Sequence, residues 1–238
     1  MKGKLVVFLA TSQTGKDFCA NYLIDQANEN GKLFDLPIDF RYATAYKVRK
    51  RREDDPSYIR CVEDKKEIPV EYDLAVQILD NQTIAYSSSE IEKGLKDEKN
   101  SLKGLVICTT SVELVDLLKK KFPNDTIVVL ILGGIKSYEQ IASTEAERYG
   151  KEIDNPIVVD SSERRYKHLE ENISQLNGYY EKADYVLRNR WSISRYLDPD
   201  GSRMKKEVDC LCRYILDDRM DFWGHWRRKR KEPEKESE

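Results

Sequence analysis

Lys4-Leu5-Val6-Val7-Phe8-Leu9-Ala10-Thr11-Ser12-Gln13-Thr14-Gly15-Lys16-Asp17 decides the fold. After its lysine the run to Ala10 is continuously apolar and rich in β-branched residues, the pattern of a strand buried on both faces of a parallel sheet. Helical spacing then takes over: Phe18, Cys19, Tyr22, Leu23 and Ala27 share one face, and Asn30-Gly31 is the expected stop. Ala10 to Asp17 lies between them and matches the phosphate-loop pattern G-x-x-x-x-G-K-[ST], with Ala10 at the first glycine and Asp17 in place of the final hydroxyl residue. Such a loop needs backbone N–H groups curled round phosphates, a helix N-terminus adding partial positive charge, and a lysine reaching the transferred phosphate. Ser12, Gln13, Thr14, Gly15 and Lys16 are the residues expected to do this for ATP; a plain strand-to-helix turn is the alternative. At Asp17 a carboxylate replaces a neutral hydroxyl. It is a hard anionic ligand for magnesium, and it repels a β-phosphate unless a metal lies between them. A rearranged metal site and a weakened, non-catalytic loop are both open.

Working outward, Leu105-Val106-Ile107-Cys108 and Thr126 to Leu132 read as further buried strands, with an amphipathic helix from Val112 to Lys121 between them. Ala183 to Leu187 returns to strand character, and Met204 to Leu216 reads as a last helix. This alternation predicts an α/β fold, a phosphate-loop three-layer architecture with a parallel sheet between helices. The block from Phe40 to Ser89 differs, with short alternating pieces and a hairpin from Leu74 to Tyr86 turning at Asp80-Asn81-Gln82, so a small, largely antiparallel subdomain is expected there. Ile135 to Lys182 is polar and helix-forming, interrupted at Gly150 and Asn155-Pro156, which suits a helical lid. The expected organisation is one domain over 1–218, with core segments 1–37, 100–134 and 183–218, an acceptor-binding subdomain at about 38–99 and a lid at about 135–182. A charged tail, 219–238, follows.

Composition excludes several classes. With 39% hydrophobic, 10% aromatic and 35% charged residues over 238 positions, the chain is charge-rich yet able to bury a core. The formal net charge of -2 gives no overall field toward nucleic acid or anionic membrane. No apolar run reaches membrane-spanning length, and the N-terminal apolar stretch is too short for a signal peptide. Five scattered cysteines and two histidines make neither a disulfide framework nor a zinc ligand set, so a reducing cytoplasm is the expected setting. In the tail, Arg227 to Lys231 is the one segment that would contact nucleic acid; solvation alone is the simpler account.

Taken together, the order of features over residues 4 to 217 resembles the guanylate kinase family of P-loop nucleoside monophosphate kinases. Tyr42-Ala43-Thr44-Ala45-Tyr46-Lys47-Val48-Arg49-Lys50-Arg51-Arg52 followed by Ser57-Tyr58-Ile59 is similar to the segment with which that family clamps the acceptor's phosphate. Lys47 and Lys50 fall where the family has arginines, and Tyr58 where it has a phosphate-binding tyrosine. Tyr86-Ser87-Ser88-Ser89 is similar to the family's Tyr-Gly-Thr-Ser at the acceptor site, although Ser88 or Ser89 would serve equally as a helix cap before Glu90. The resemblance implies acceptor binding by Thr44, Lys47, Lys50, Tyr58, Gln77, Tyr86, Ser88, Ser89 and Thr109. It also places Asn189 near the adenine, and Arg148, Arg164, Arg165 and Lys167 on the lid as candidates to neutralise the transferring phosphoryl group. Gln77 and Cys108-Thr109-Thr110 replace the two carboxylates that accept from guanine's N–H donors, so the resemblance does not extend to guanine recognition.

The resulting expectation is an ATP-dependent phosphotransferase. It uses Mg2+ held by Asp17, with Lys16 on the β and γ phosphates and a phosphorylated, nucleotide-like small molecule as acceptor. The alternatives are a binding module that kept the fold and lost catalysis, and a kinase brought to nucleic acid by its basic tail.

Overall fold

Strands buried on both faces dominate the structure, a computed structural model that describes residues 3–11, 14–33, 38–51, 55–78, 82–96, 102–134, 136–174, 176–189 and 201–220. The strand β1 (Lys4–Leu9) is buried at every position. It pairs in parallel with β7 (Leu102–Thr109) on one side and with β8 (Thr126–Leu132) on the other. The outer places go to β2 (Ile38–Tyr42), beside β7, and β9 (Tyr185–Arg188), beside β8, both parallel. The order β2-β7-β1-β8-β9 gives an all-parallel sheet of five strands.

Alternate residues of β1 feed different cores, as period-two geometry requires. Val6 and Phe8 pack with Cys19, Ala20, Leu23 and Ala27 of α1 (Lys16–Leu33) and with Val208, Leu211 and Ile215 of a C-terminal helix, Ser202–Met220. Leu5, Val7 and Leu9 pack against the other layer. That layer is formed by Ile91 and Leu95 of α2 (Ser88–Leu95) and Leu114, Val115 and Leu118 of α3 (Val112–Lys121). Helix, sheet, helix is thus the observed layering, as expected. α1 runs on through Asn30-Gly31 to Leu33, two residues past the expected stop. Packing against the C-terminal helix extends it, and Asn30 Nδ2 reaches Cys212 Sγ at 3.9 Å.

A second sheet holds four strands in the order β4-β3-β6-β5: β3 (Ala45–Val48), β4 (Ile59–Val62), β5 (Leu74–Gln77) and β6 (Thr83–Tyr86). β5 and β6 form the expected hairpin, with Leu74 opposite Tyr86, and β3 pairs antiparallel to β6. β3 and β4 are parallel, so the sheet is mixed at that edge. Ala45, Ile59, Val76, Ile84 and Tyr86 join the core beneath the main sheet, which fixes the small sheet against it.

Three helices follow β8: α4 (Tyr138–Tyr149), α5 (Pro156–Ser174) and α6 (Leu176–Lys182). Ser137 and Gln140 cap α4 reciprocally, and Gly150 ends it in the left-handed conformation, φ 58°. Asn155 Oδ1 accepts from Ile157 N at 3.2 Å just ahead of Pro156 at the first position of α5. α6 belongs to the main body, because the fully buried Tyr179 donates its hydroxyl to Thr110 O at 2.7 Å. The C-terminal helix, Ser202–Met220, is α7.

One close approach sets the spacing of β2 and β7. A Cβ at Gly104 would lie 2.3 Å from the Phe40 ring, and the two residues are register partners. Gly104→Ala is expected to lower stability by about 1–3 kcal/mol through overpacking. Thermal denaturation checks this, and Phe40→Leu should recover part of the loss when combined with it.

Candidate functional site

The loop after β1 is braced from behind. Gly15 has φ 82°, a conformation that side chains rarely adopt, and a Cβ there would meet Asn189 Nδ2 at 2.5 Å. That amide nitrogen donates to Thr14 O at 2.6 Å, while Asn189 N donates to Leu132 O at 2.8 Å, tying the loop to the ends of β8 and β9. Thr14 is buried, and its hydroxyl donates to Thr11 O at 3.0 Å. Lys16 and Asp17 then start α1, where unpaired backbone N–H groups and the helix dipole favour anions. Ser12 and Gln13 lie outside the described residues. Asn189, expected near an adenine, holds the loop backbone in place.

Lys16 and Asp17 line a cleft of about 490 Å³. Lys47, Arg49 and Tyr58, from the small sheet and its flanks, line it as well; so do Tyr86 and Cys108, and Arg148 of α4 and Arg165 of α5 join from the helical segment. Sequence spacing alone did not bring these elements together; the parallel register does. Lys47 is partly withdrawn from water, and burial, then the neighbouring charges of Arg49 and Lys16, lower its pKa. The Arg49 guanidinium clamps Asp55 through both terminal nitrogens, Nη1 to Oδ2 at 2.7 Å and Nη2 to Oδ1, and Nη1 also donates to Lys50 O at 2.9 Å.

The Tyr42 and Tyr58 rings stack with centroids 4.1 Å apart and planes 13° from parallel, and Tyr42 donates its hydroxyl to Asn21 Oδ1 at 2.9 Å. Burial pushes the Tyr58 hydroxyl up to about 12 and the Tyr42 and Tyr86 hydroxyls higher still, so all three stay protonated donors at neutral pH. The Cys108 thiol is raised well above its usual range, first by burial and then by Asp17, so it stays uncharged and is not a nucleophile.

Several expected residues stand elsewhere. Lys50 is exposed outside the cleft, and Arg49 takes the place expected for it, because strand alternation puts Lys47 and Arg49 on one face and Lys50 on the other. Thr44 faces a second cleft beside Arg41, Ser87 and Glu90. Gln77 is exposed on the edge strand β5, away from the cleft. Ser87, rather than Ser88 or Ser89, caps α2 by accepting from Glu90 N at 3.2 Å. Ser88 is held by Asp73 through its N and Oγ, both at 2.8 Å, and the exposed Ser89 meets Ser87 Oγ at 2.9 Å. Thr109 is buried, its Oγ1 accepting from Ser111 N at 2.9 Å. Arg164 is half-exposed and paired with Asp160 at 2.8 Å, and Lys167 is exposed; neither lines the cleft. The basic tail segment Arg227 to Lys231 lies outside the described residues.

Sequence reading missed Arg49, Asp55, Tyr42 and Asn21 as cleft residues. Alternation along β3 from Lys47 carried the signal for Arg49. Nothing local marked Asp55, whose role depends on a loop returning to Arg49.

Solved structures similar to the chain include two kinases. A guanylate kinase from Anaplasma phagocytophilum matches at 14% identity and a TM-score of 0.48, covering 92% of this chain and 95% of that one. A gluconokinase from Sinorhizobium meliloti 1021 matches at 10% identity and a TM-score of 0.32, covering 92% and 98%. No family model matches the chain, and no curated protein matches it in sequence. Among the described residues no helix is long and apolar enough to cross a membrane.

Lys47 supports a prediction with a definite sign. Its folded pKa lies below its unfolded one, so between the two values the unfolded chain holds the extra proton and stability rises with pH; below both, the charged form carries its full penalty. At neutral pH, Lys47→Met is therefore expected to raise the melting temperature by about 2–4 °C. Inorganic phosphate should raise the wild-type melting temperature further and leave that of the variant nearly unchanged. Melting curves with and without phosphate decide it. A second prediction concerns the brace: Asn189→Ala should cost about 1–3 kcal/mol, because it strips a buried carbonyl of its donor, and should weaken magnesium-ATP binding in calorimetry.

Proposed function

We propose that the chain is a P-loop phosphotransferase that moves the γ-phosphoryl group of ATP to a phosphorylated, nucleotide-like acceptor. One observation carries this reading: a single cleft is lined by Lys16 and Asp17 at a helix N-terminus, by Lys47, Arg49 and Tyr58 from the small sheet and its flanks, and by Arg148 and Arg165. A donor polyphosphate suits the first group, where backbone N–H groups and Lys16 offer donors. An acceptor phosphate suits the second, where a half-buried ammonium, a fixed guanidinium and a protonated phenol offer donors. Arg148 and Arg165 supply positive charge for the group being transferred.

Magnesium suits this donor set. Among the described residues no three His, Cys, Asp or Glu side chains form a cage, and Asp55 is taken up by Arg49, which leaves Asp17 at the loop. Magnesium is commonly held by one or two carboxylates with substrate phosphates and water completing the shell, and when bound it neutralises charge on the β and γ phosphates. Asp17 would be its protein ligand. No side chain needs to act as a general base, since positioning and charge stabilisation dominate this chemistry. The described cleft residues include no pair of carboxylates uncommitted to a cation, so the acceptor's base is not read in the manner of guanine.

The test is turnover of magnesium-ATP with a panel of nucleoside monophosphates. Lys16→Ala is expected to reduce kcat by about 100-fold or more while the melting temperature holds. No turnover with any acceptor, together with no magnesium-ATP binding by a folded protein, would make the chain a binding module on a kinase-like scaffold instead.

A further inference from the structure

Glu145 is an anomaly of α4. The buried positions of that helix are Ile141, Ala142, Glu145 and Ala146, so a carboxylate occupies the apolar stripe, and its side chain is only 1% exposed. Glutamate is almost never buried so deeply unless it is paired. Two partners meet it, both from α5. Arg165 Nε forms an ion pair with Oε2 at 2.9 Å, and Ser161 Oγ donates to the same oxygen at 2.6 Å. Ser161 is itself buried, so water does not compete for this contact. Arg165 in turn lines the cleft that holds Lys16 and Asp17.

We propose that Glu145 is a positioning residue for phosphoryl transfer: from inside the helical pair it orients the Arg165 guanidinium toward the phosphates bound at Lys16. The inference deepens the kinase reading above and rests on it. An arginine whose Nε is held by a carboxylate still carries its Nη donors, the edge that meets phosphate oxygens in a fork. Holding Nε to a buried acceptor removes much of the side chain's rotamer freedom before any ligand arrives, so that cost is not met at binding. Ser161 fixes the carboxylate in turn. Arg164, one residue away, shows the contrast: its partner is the exposed Asp160 of its own helix, and it stays outside the cleft.

The experiment is a double-mutant cycle on the full chain, read by calorimetric binding of magnesium-ATP and magnesium-ADP and by kcat and KM with the acceptor that works best. Glu145→Gln keeps the shape and a hydrogen-bonding oxygen for Ser161 but removes the charge. Arg165→Ala should weaken ATP binding or lower kcat by about tenfold or more, with ADP binding less affected. Glu145→Gln should reproduce most of that loss. In the Arg165→Ala background it should add less than about twofold, because a residue acting through Arg165 has nothing left to orient.

Full additivity of the two losses, or an equal loss for ADP and ATP from Glu145→Gln alone, overturns the proposal and leaves Glu145 a structural pair. If Glu145→Gln does not fold, Ser161→Ala takes its place. It should give a smaller loss that likewise vanishes in the Arg165→Ala background, and a loss that persists there overturns the proposal. A wild-type protein that binds no magnesium-ATP defeats the kinase reading and this inference with it. Binding that is intact but indifferent to Glu145 and Ser161 defeats this inference alone.

Discussion

The parallel pairing of β1 between β7 and β8 is the constraint on which the rest depends. Lys4 to Leu9 runs in register with Gly104 to Thr109, and Leu5 to Leu9 with Thr126 to Leu130. Because β2 and β9 are parallel as well, all the strands end at one edge of the sheet. Functional loops of α/β folds gather at that carboxyl edge. Here it collects Gly15 after β1, Tyr42 at the end of β2, Thr109 at the end of β7 and Asn189 after β9. The hydrogen bond from Asn189 to Thr14 O spans β8, joining two segments far apart in sequence that leave the same edge of the sheet.

Much of this was legible locally. A strand with no polar face, a glycine six residues beyond its end and a lysine at a helix start are short-range signals, and they placed the loop between β1 and α1. The hairpin, α3 and β8 followed from periodicity in the same way. The part of the cleft near the small sheet was read less well, because a basic run from Lys47 to Arg52 does not say which side chains turn inward. Strand alternation answers that by pairing Lys47 with Arg49 and turning Lys50 outward. Long-range choices were not legible at all. Asp55 finding Arg49, Asp73 capturing Ser88 and Asn189 serving the loop are settled only by the tertiary arrangement.

The cations of the cleft are held in two different ways. Arg49 and Arg165 each have a buried acid behind them, Asp55 and Glu145, which desolvates the pair together and fixes the guanidinium. Such pairs contribute little net stability, since the cost of desolvation offsets the attraction, but breaking one leaves a buried charge without its partner. Among the described residues no acid is so committed to Lys47. Burial and its cationic neighbours weigh against its charge, and an anion beside it would offset them.

The helical segment after β8 divides along the same line. α6 is anchored to the main body by Tyr179 and by the Lys182–Asp116 pair at 2.6 Å. α4 and α5 instead bury Ile141, Ala142, Val158 and Leu169, which belong to neither of the two main cores. These helices thus bury a small apolar set of their own beside the main cores. Glu145 lies three residues before Arg148 on α4 and contacts Arg165 on α5, so one buried carboxylate joins both arginine-bearing helices. An uncharged residue at that point would pack the helices equally well while leaving Arg165 without a reason to face the cleft. That difference between packing and aiming is what a glutamate in an apolar stripe supplies.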